Sequence, residues 1–195
     1  MNSDLRLALL FRVVSYSNSF RNRLFNHIVS FVCNKKIRID WSNVKIINPE
    51  SIKIGNNFCA GRFLWLESVS GKGDLRIGSN INASDFVHIG CSNAVTIGND
   101  VLIGSKVLIT DHSHGEIAES LIPGREIQAP NLRPLVSKGP VVIERAVGIG
   151  DGSCVLSGVT IGEGSIIGAN SVVVSDIPPR TVWGGIPAKQ IWPKL

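Results

Sequence analysis

An aliphatic residue returns every six positions through the second half of the chain, a period that few folds can use. It falls at Ile143, Ile149, Val155, Ile161, Ile167 and Val173, and Gly follows it at Gly150, Gly162 and Gly168. The same step links Ile97, Ile103 and Ile109, then Ile77, Ala83 and Ile89, and more weakly Ile54, Ala60 and Leu66. Between Ile89 and Ile97 the step is eight, which inserts a small turn. Side chains two apart on an extended segment face one way. The fifth residue of one repeat and the first of the next therefore share a side, as Val101 does with Ile103 and Ser165 with Ile167. Intervening Gly, Asn and Asp supply turns and accept positive φ. A short strand and a turn every six residues make a coil whose successive turns stack, because no single unit can bury its own apolar side. An antiparallel sandwich, with turn signals every ~8–12 residues, does not fit this spacing.

Composition agrees with many short strands. The 195 residues are 44% hydrophobic and 18% charged, with 20 Gly and few aromatics. That is one ordinary globular domain with a short appendage rather than a disordered chain. The net charge of +5 is modest and its basic residues gather at the two ends, so nucleic-acid binding is not expected. Cys33, Cys59, Cys91 and Cys154 form no C-x-x-C pair and read as reduced, packed thiols of a cytosolic protein. At the N-terminus Asp4 and Arg12 spoil a signal peptide, and no apolar run reaches the ~18 residues that span a bilayer. The expected location is the cytoplasm.

The period stops after Ile109 and resumes near Val141. The break opens on Asp111-His112-Ser113-His114-Gly115 and closes on Pro130-Asn131-Leu132-Arg133-Pro134. A loop longer than ~12–15 residues in a compact fold is usually functional or disordered. This one begins with two histidines at the rim of a rigid coil and reads as an active-site loop directed toward a neighbouring subunit.

Four blocks carry a family resemblance over about residues 52–192: Val95 to Ile103, Thr110 to Gly115, Gly158-Val159-Thr160-Ile161-Gly162, and Ile167 to Val173 continuing through Asp176-Ile177-Pro178-Pro179 to Gly185-Ile186-Pro187-Ala188-Lys189. They resemble the hexapeptide-repeat acyltransferases, in the branch of galactoside, maltose, nodulation-factor and O-antigen or capsule acetyltransferases. The resemblance implies an all-β, left-handed parallel β-helix, against the usual hand of parallel crossovers. It implies a homotrimer that takes acetyl from acetyl-CoA and passes it directly to a sugar hydroxyl in bacterial surface polysaccharide biosynthesis. Alternatives are a non-catalytic β-helix scaffold and N-acetylation of an amino sugar.

By the same resemblance His112 is the general base, a role that suits an imidazole at neutral pH, with His114 as the fallback. Asp111, Glu116 or a backbone carbonyl would orient it. Asp151, Ala169, Val174, Ser175 and Lys189 match coenzyme-contacting positions, with Arg180 assisting at the phosphates. Ser84, Asp85 and Arg133 are the acceptor-side candidates. Two departures stand out: Gly148 where the family often has Trp, and Ser157 where Pro is common. No metal is expected. The γ-type carbonic anhydrases bind zinc through three histidines, but the spacing of His88, His112 and His114 does not resemble theirs.

Residues 1–40 read as a separate helical segment and 41–195 as the β-helix, with the loop at about 111–140 and a tail at 178–195. Leu5, Leu9 and Val13, then Leu24, Ile28 and Val32, recur at helical spacing among Arg6, Arg12, Arg21, Arg23, Lys35 and Lys36. This amphipathic segment is expected to cap the open end of the coil. Adsorption to the inner membrane surface is its other reading.

Overall fold

The computed structural model describes residues 19–115 and 128–193. From Ile37 onward the chain winds as a left-handed parallel β-helix with three flat faces. The first face stacks Ile37–Ile39, Phe58–Ala60, Asn82–Ala83, Leu102–Ile103, Gly148–Ile149, Ile166–Ile167 and Val182–Gly184. The second stacks Lys45–Ile47, Trp65–Ser68, His88–Cys91, Leu108–Thr110, Cys154–Val155 and Val172–Val173. The third stacks Ile52–Ile54, Asp74–Ile77, Ala94–Ile97, Val141–Ile143 and Thr160–Ile161, with Ile177 bridged below. The coil thus starts ahead of the first repeat legible in the sequence.

Register explains the period. Ile103 pairs with Ala83 above and Ile149 below, so equivalent residues of successive coils lie over one another. Ile143, Ile149, Val155, Ile161, Ile167 and Val173 are all buried. Their partners two residues earlier are buried too, including Ser153, Ser165 and Ser171. These serines are satisfied: Ser153 and Ser171 donate to the Gly168 carbonyl, and Ser165 to that of Pro178. Corners need a left-handed residue. One or two positions before successive strands of the first face stand Asn57, Asn80, Asp100, Ala146, Gly164 and Arg180, all at positive φ. Asn57 Nδ2 donates to Asn80 Oδ1 and Asn80 Nδ2 to Asp100 Oδ1, a side-chain ladder along that corner.

A helix whose described part spans 19–33 lies along the open edge of the first strand. It meets the coil with a stripe of polar side chains, beside which the partly buried Val29 packs on the core. Asn26 accepts from the Ile39 N–H and donates to the Ile39 carbonyl, Ser30 does both for Ile37, and Asn22 accepts from the Trp41 N–H. Asn22, Asn26 and Ser30 stand four apart, one stripe of a helix. They satisfy the strand edge as a neighbouring strand would. Among the described residues no helix is long and apolar enough to cross a membrane. At the far end Lys189–Trp192 turns back antiparallel on Val182–Gly184.

Candidate active site

Where the second face of the fourth coil ends, the chain leaves the helix at Thr110-Asp111-His112. One coil above, the eight-residue step makes a turn at Ser92-Asn93, whose amides point down. The fully buried Asp111 carboxylate accepts from the backbone N–H groups of Ser92, Asn93 and Ala94 at 2.7, 2.7 and 2.8 Å. Burial alone would raise its pKa. The hydrogen bond to His112 and those three amides outweigh burial and hold it below the ordinary carboxylate value. Asp111 Oδ1 lies 3.0 Å from His112 Nδ1, and Thr110 Oγ1 lies 3.2 Å from the same nitrogen. An ionised carboxylate accepts a hydrogen bond from Nδ1–H, which leaves the lone pair on Nε2. The His112 side chain is 13% exposed, and Nε2 has no hydrogen-bond partner among the described residues. Such a nitrogen can accept a proton from a bound hydroxyl.

Beside His112 lies a cluster that reading the sequence missed. On the second face Trp65 pairs with His88, and Glu67 with Gly90. The rings of Trp65 and His88 stack with centroids 4.0 Å apart, and Lys45 Nζ sits 3.9 Å from the Trp65 ring centroid. Glu67 receives Trp65 Nε1 at 3.1 Å and lies 3.2 Å from His88 Nε2. Gly90 is the notch between them: a Cβ there would be 3.2 Å from His112 Cε1 and 3.4 Å from Glu67 Oε1. The signal was available, since these residues occupy matching outward positions of consecutive coils.

The loop is anchored at both ends. Ser113–His114 pairs antiparallel with Leu135–Val136, and the Gly115 N–H donates to the Pro134 carbonyl. Arg133 lies against Gly115 and donates to the Gln128 carbonyl, and His114 is exposed. Glu116, expected as a possible orienting residue, lies outside the described residues.

Six of the other expected site residues divide between two corners of the prism. Val174 and Ser175, both exposed, share the corner of His112, two coils lower. Ser84, Asp85, Asp151 and Ala169 share the corner between the first and second faces. There Asp85 is held by Arg62, which donates through its backbone N–H and through Nε and Nη2, and these contacts keep the carboxyl below its usual value. Asp151 Oδ1 accepts from the Ser105 N–H. Gly150 lets the backbone of Ala169 pass beneath, for a Cβ at 150 would stand 2.5 Å from the Ala169 nitrogen. Lys189 is exposed on the C-terminal strap, and Arg180 is exposed at a first-face corner. Gly148, the departure from the Trp often found in the family, lies bare on the first face between Leu102 and Ile166. Among the described residues no group of three or more His, Cys, Asp or Glu side chains could hold a metal ion.

The family model of the bacterial transferase hexapeptide, six repeats, matches residues 140–175. A relative assigned to lipopolysaccharide biosynthesis as an O-acetyl transferase, WbbJ of Escherichia coli K12, is 42% identical over 161 residues, 79% of this chain and 81% of its own. Galactoside O-acetyltransferase of the same strain is 33% identical, over 67% of this chain and 61% of its own. Among solved structures, a hexapeptide-repeat acetyltransferase of Vibrio cholerae complexed with acetyl coenzyme A superposes with a TM-score of 0.58 at 29% identity, over 74% of this chain and 72% of that one. The fold is that of the hexapeptide-repeat acetyltransferases. The chain belongs to the hexapeptide-repeat acyltransferase family, and it is an acetyltransferase.

Proposed function

We propose that this chain moves the acetyl group of acetyl-CoA to a sugar hydroxyl during surface polysaccharide assembly, with His112 as general base. The observation that carries this is the Asp111–His112 pair, 3.0 Å apart, which leaves Nε2 basic and turned from the buried carboxylate. Nε2 takes the hydroxyl proton while the oxygen attacks the thioester carbonyl. The C–S bond then breaks, and the imidazolium returns the proton to the thiolate, giving an O-acetyl ester and free coenzyme. The polysaccharide setting follows the relative assigned to lipopolysaccharide biosynthesis.

Lys189 and Arg180 suit the coenzyme phosphates, and Asp151, Ala169, Val174 and Ser175 its pantetheine arm. Ser84, Asp85 and Arg133 remain acceptor-side candidates, with Glu67 and His88 nearer the base. Because Asp151 and Ala169 stand at one corner of the prism and His112, Val174 and Ser175 at another, a site using both draws them from adjacent copies. That favours a homotrimer. The reading also places the enzyme in the cytoplasm, in peripheral contact with the inner membrane where lipid-linked glycans are built. The test is release of free coenzyme from acetyl-CoA with a sugar panel, by wild type and His112→Ala, alongside thermal unfolding with and without acetyl-CoA. Both proteins should be stabilised by the donor and only wild type should turn over. No stabilisation of either would sink the reading.

A further inference from the structure

The helix over 19–33 is inverted. Its polar stripe faces the protein, where Asn22, Asn26 and Ser30 are consumed by the strand edge. Its apolar side faces out: Phe20 is 63% exposed, Leu24 50%, Ile28 46%, Phe31 82% and Val32 75%. A row of large apolar side chains along a helix marks a surface with a partner. The charge around it is of one sign. Residues 19–39 hold Arg21, Arg23, Lys35, Lys36 and Arg38 and no acid. A groove of about 410 Å³ between the helix end and the first coil is lined by His27, Phe31, Lys35 and Lys36 among others, cations beside an apolar ring.

We infer that the outer face of this helix docks on an anionic phospholipid bilayer, its apolar side chains in the headgroup boundary and its lysines and arginines on lipid phosphates. Charge selects this occupant. A second copy would set five like charges against five, and residues 1–18, with Arg6 and Arg12 against Asp4, are also net basic. This inference gives the membrane contact proposed above a surface and a headgroup chemistry. It does not depend on acetyl transfer. Strand stacking at ~4.8 Å per coil puts the coil that carries His112 about 14 Å below the first strand, so docking would hold the base near the membrane.

The test is flotation of the purified full chain with phosphatidylcholine vesicles, with and without about one quarter phosphatidylglycerol. Binding should be at least about tenfold stronger on anionic vesicles and should weaken as salt screens the charges. Leu24→Ser, Ile28→Ser and Phe31→Ser together should cut the bound fraction about tenfold or more, with unfolding midpoint and turnover unchanged. Should that protein fold poorly, Arg21→Glu alone should weaken binding severalfold. Equal binding to both vesicle types, no binding, or undiminished binding of both variants would overturn the inference. So would a fall in solution mass in the triple variant, which would assign the face to a second copy, or binding gained only on deleting residues 1–18. A chain that floats but never turns over would leave the docking surface standing and remove the transfer reading.

Discussion

Asp111 Oδ1 stands 3.0 Å from His112 Nδ1, and the same carboxylate takes three amides from the turn of the coil above. One side chain therefore joins a structural task to the chemical one proposed for it. His112→Ala should lower kcat by about 10²–10⁴ with little change in unfolding midpoint. Asp111→Asn should lower turnover and also stability, by about 1–3 kcal/mol, because a neutral amide faces three donors with one acceptor atom fewer. Coenzyme release and thermal melts on the two variants check the split.

Asp111 also sets an acid limit. Its folded pKa lies below the unfolded value, so its contribution is present above about pH 4 and is lost as pH falls through the lowered value. Unfolding midpoints of wild type and Asp111→Asn, followed from neutral pH into acid, should converge at the acid end. A gap that stays constant would contradict the assignment.

Gly90 is expected to be a site residue without chemistry of its own. A methyl there would press on His112 Cε1 and Glu67 Oε1 at 3.2 and 3.4 Å. Gly90→Ala should reduce kcat roughly tenfold through displacement of the base, with stability nearly unchanged. Steady-state kinetics beside a melt decide it.

Two other glycines make an opposite pair. A Cβ at Gly78 would stand 2.5 Å from the Gly98 carbonyl oxygen, whereas at Gly148 nothing lies within 4 Å. Gly78→Ala should cost about 1–3 kcal/mol by forcing coils apart. Gly148→Ala should be neutral or stabilising by about 0.5 kcal/mol through lost chain entropy. Denaturant unfolding compares them.

Burial, with the Asp111 charge next, pushes the Cys91 thiol up to about 12, while Cys33 is exposed. At mildly alkaline pH a thiol reagent should modify Cys33 in native protein and leave Cys91 untouched until unfolding. Mass mapping of the labelled peptides reads the result.

The period of six made the coil and its core legible, because every buried column repeats one local rule. His112 was legible through the motif at the break. The anchor of Asp111 was not: its partners, Ser92 to Ala94, lie 17–19 residues earlier and meet it only because one coil sits on the next. The Trp65–His88 stack stayed hidden for the same reason, being a contact between coils and not along the chain. Helical spacing of Leu24, Ile28 and Val32 gave the segment's shape but not its orientation. Hydrophobic pattern alone favours burying that stripe, and the unpaired backbone of Ile37 and Ile39 drew Asn26 and Ser30 instead.

Stacking by whole coils makes the molecule a ruler. Inserting one complete turn between the helix and the fourth coil would carry the base about 4.8 Å farther from the cap and leave each local contact of the site intact. Relatives that differ by whole turns would then differ in reach rather than in chemistry, and each would be matched to an acceptor held at its own height.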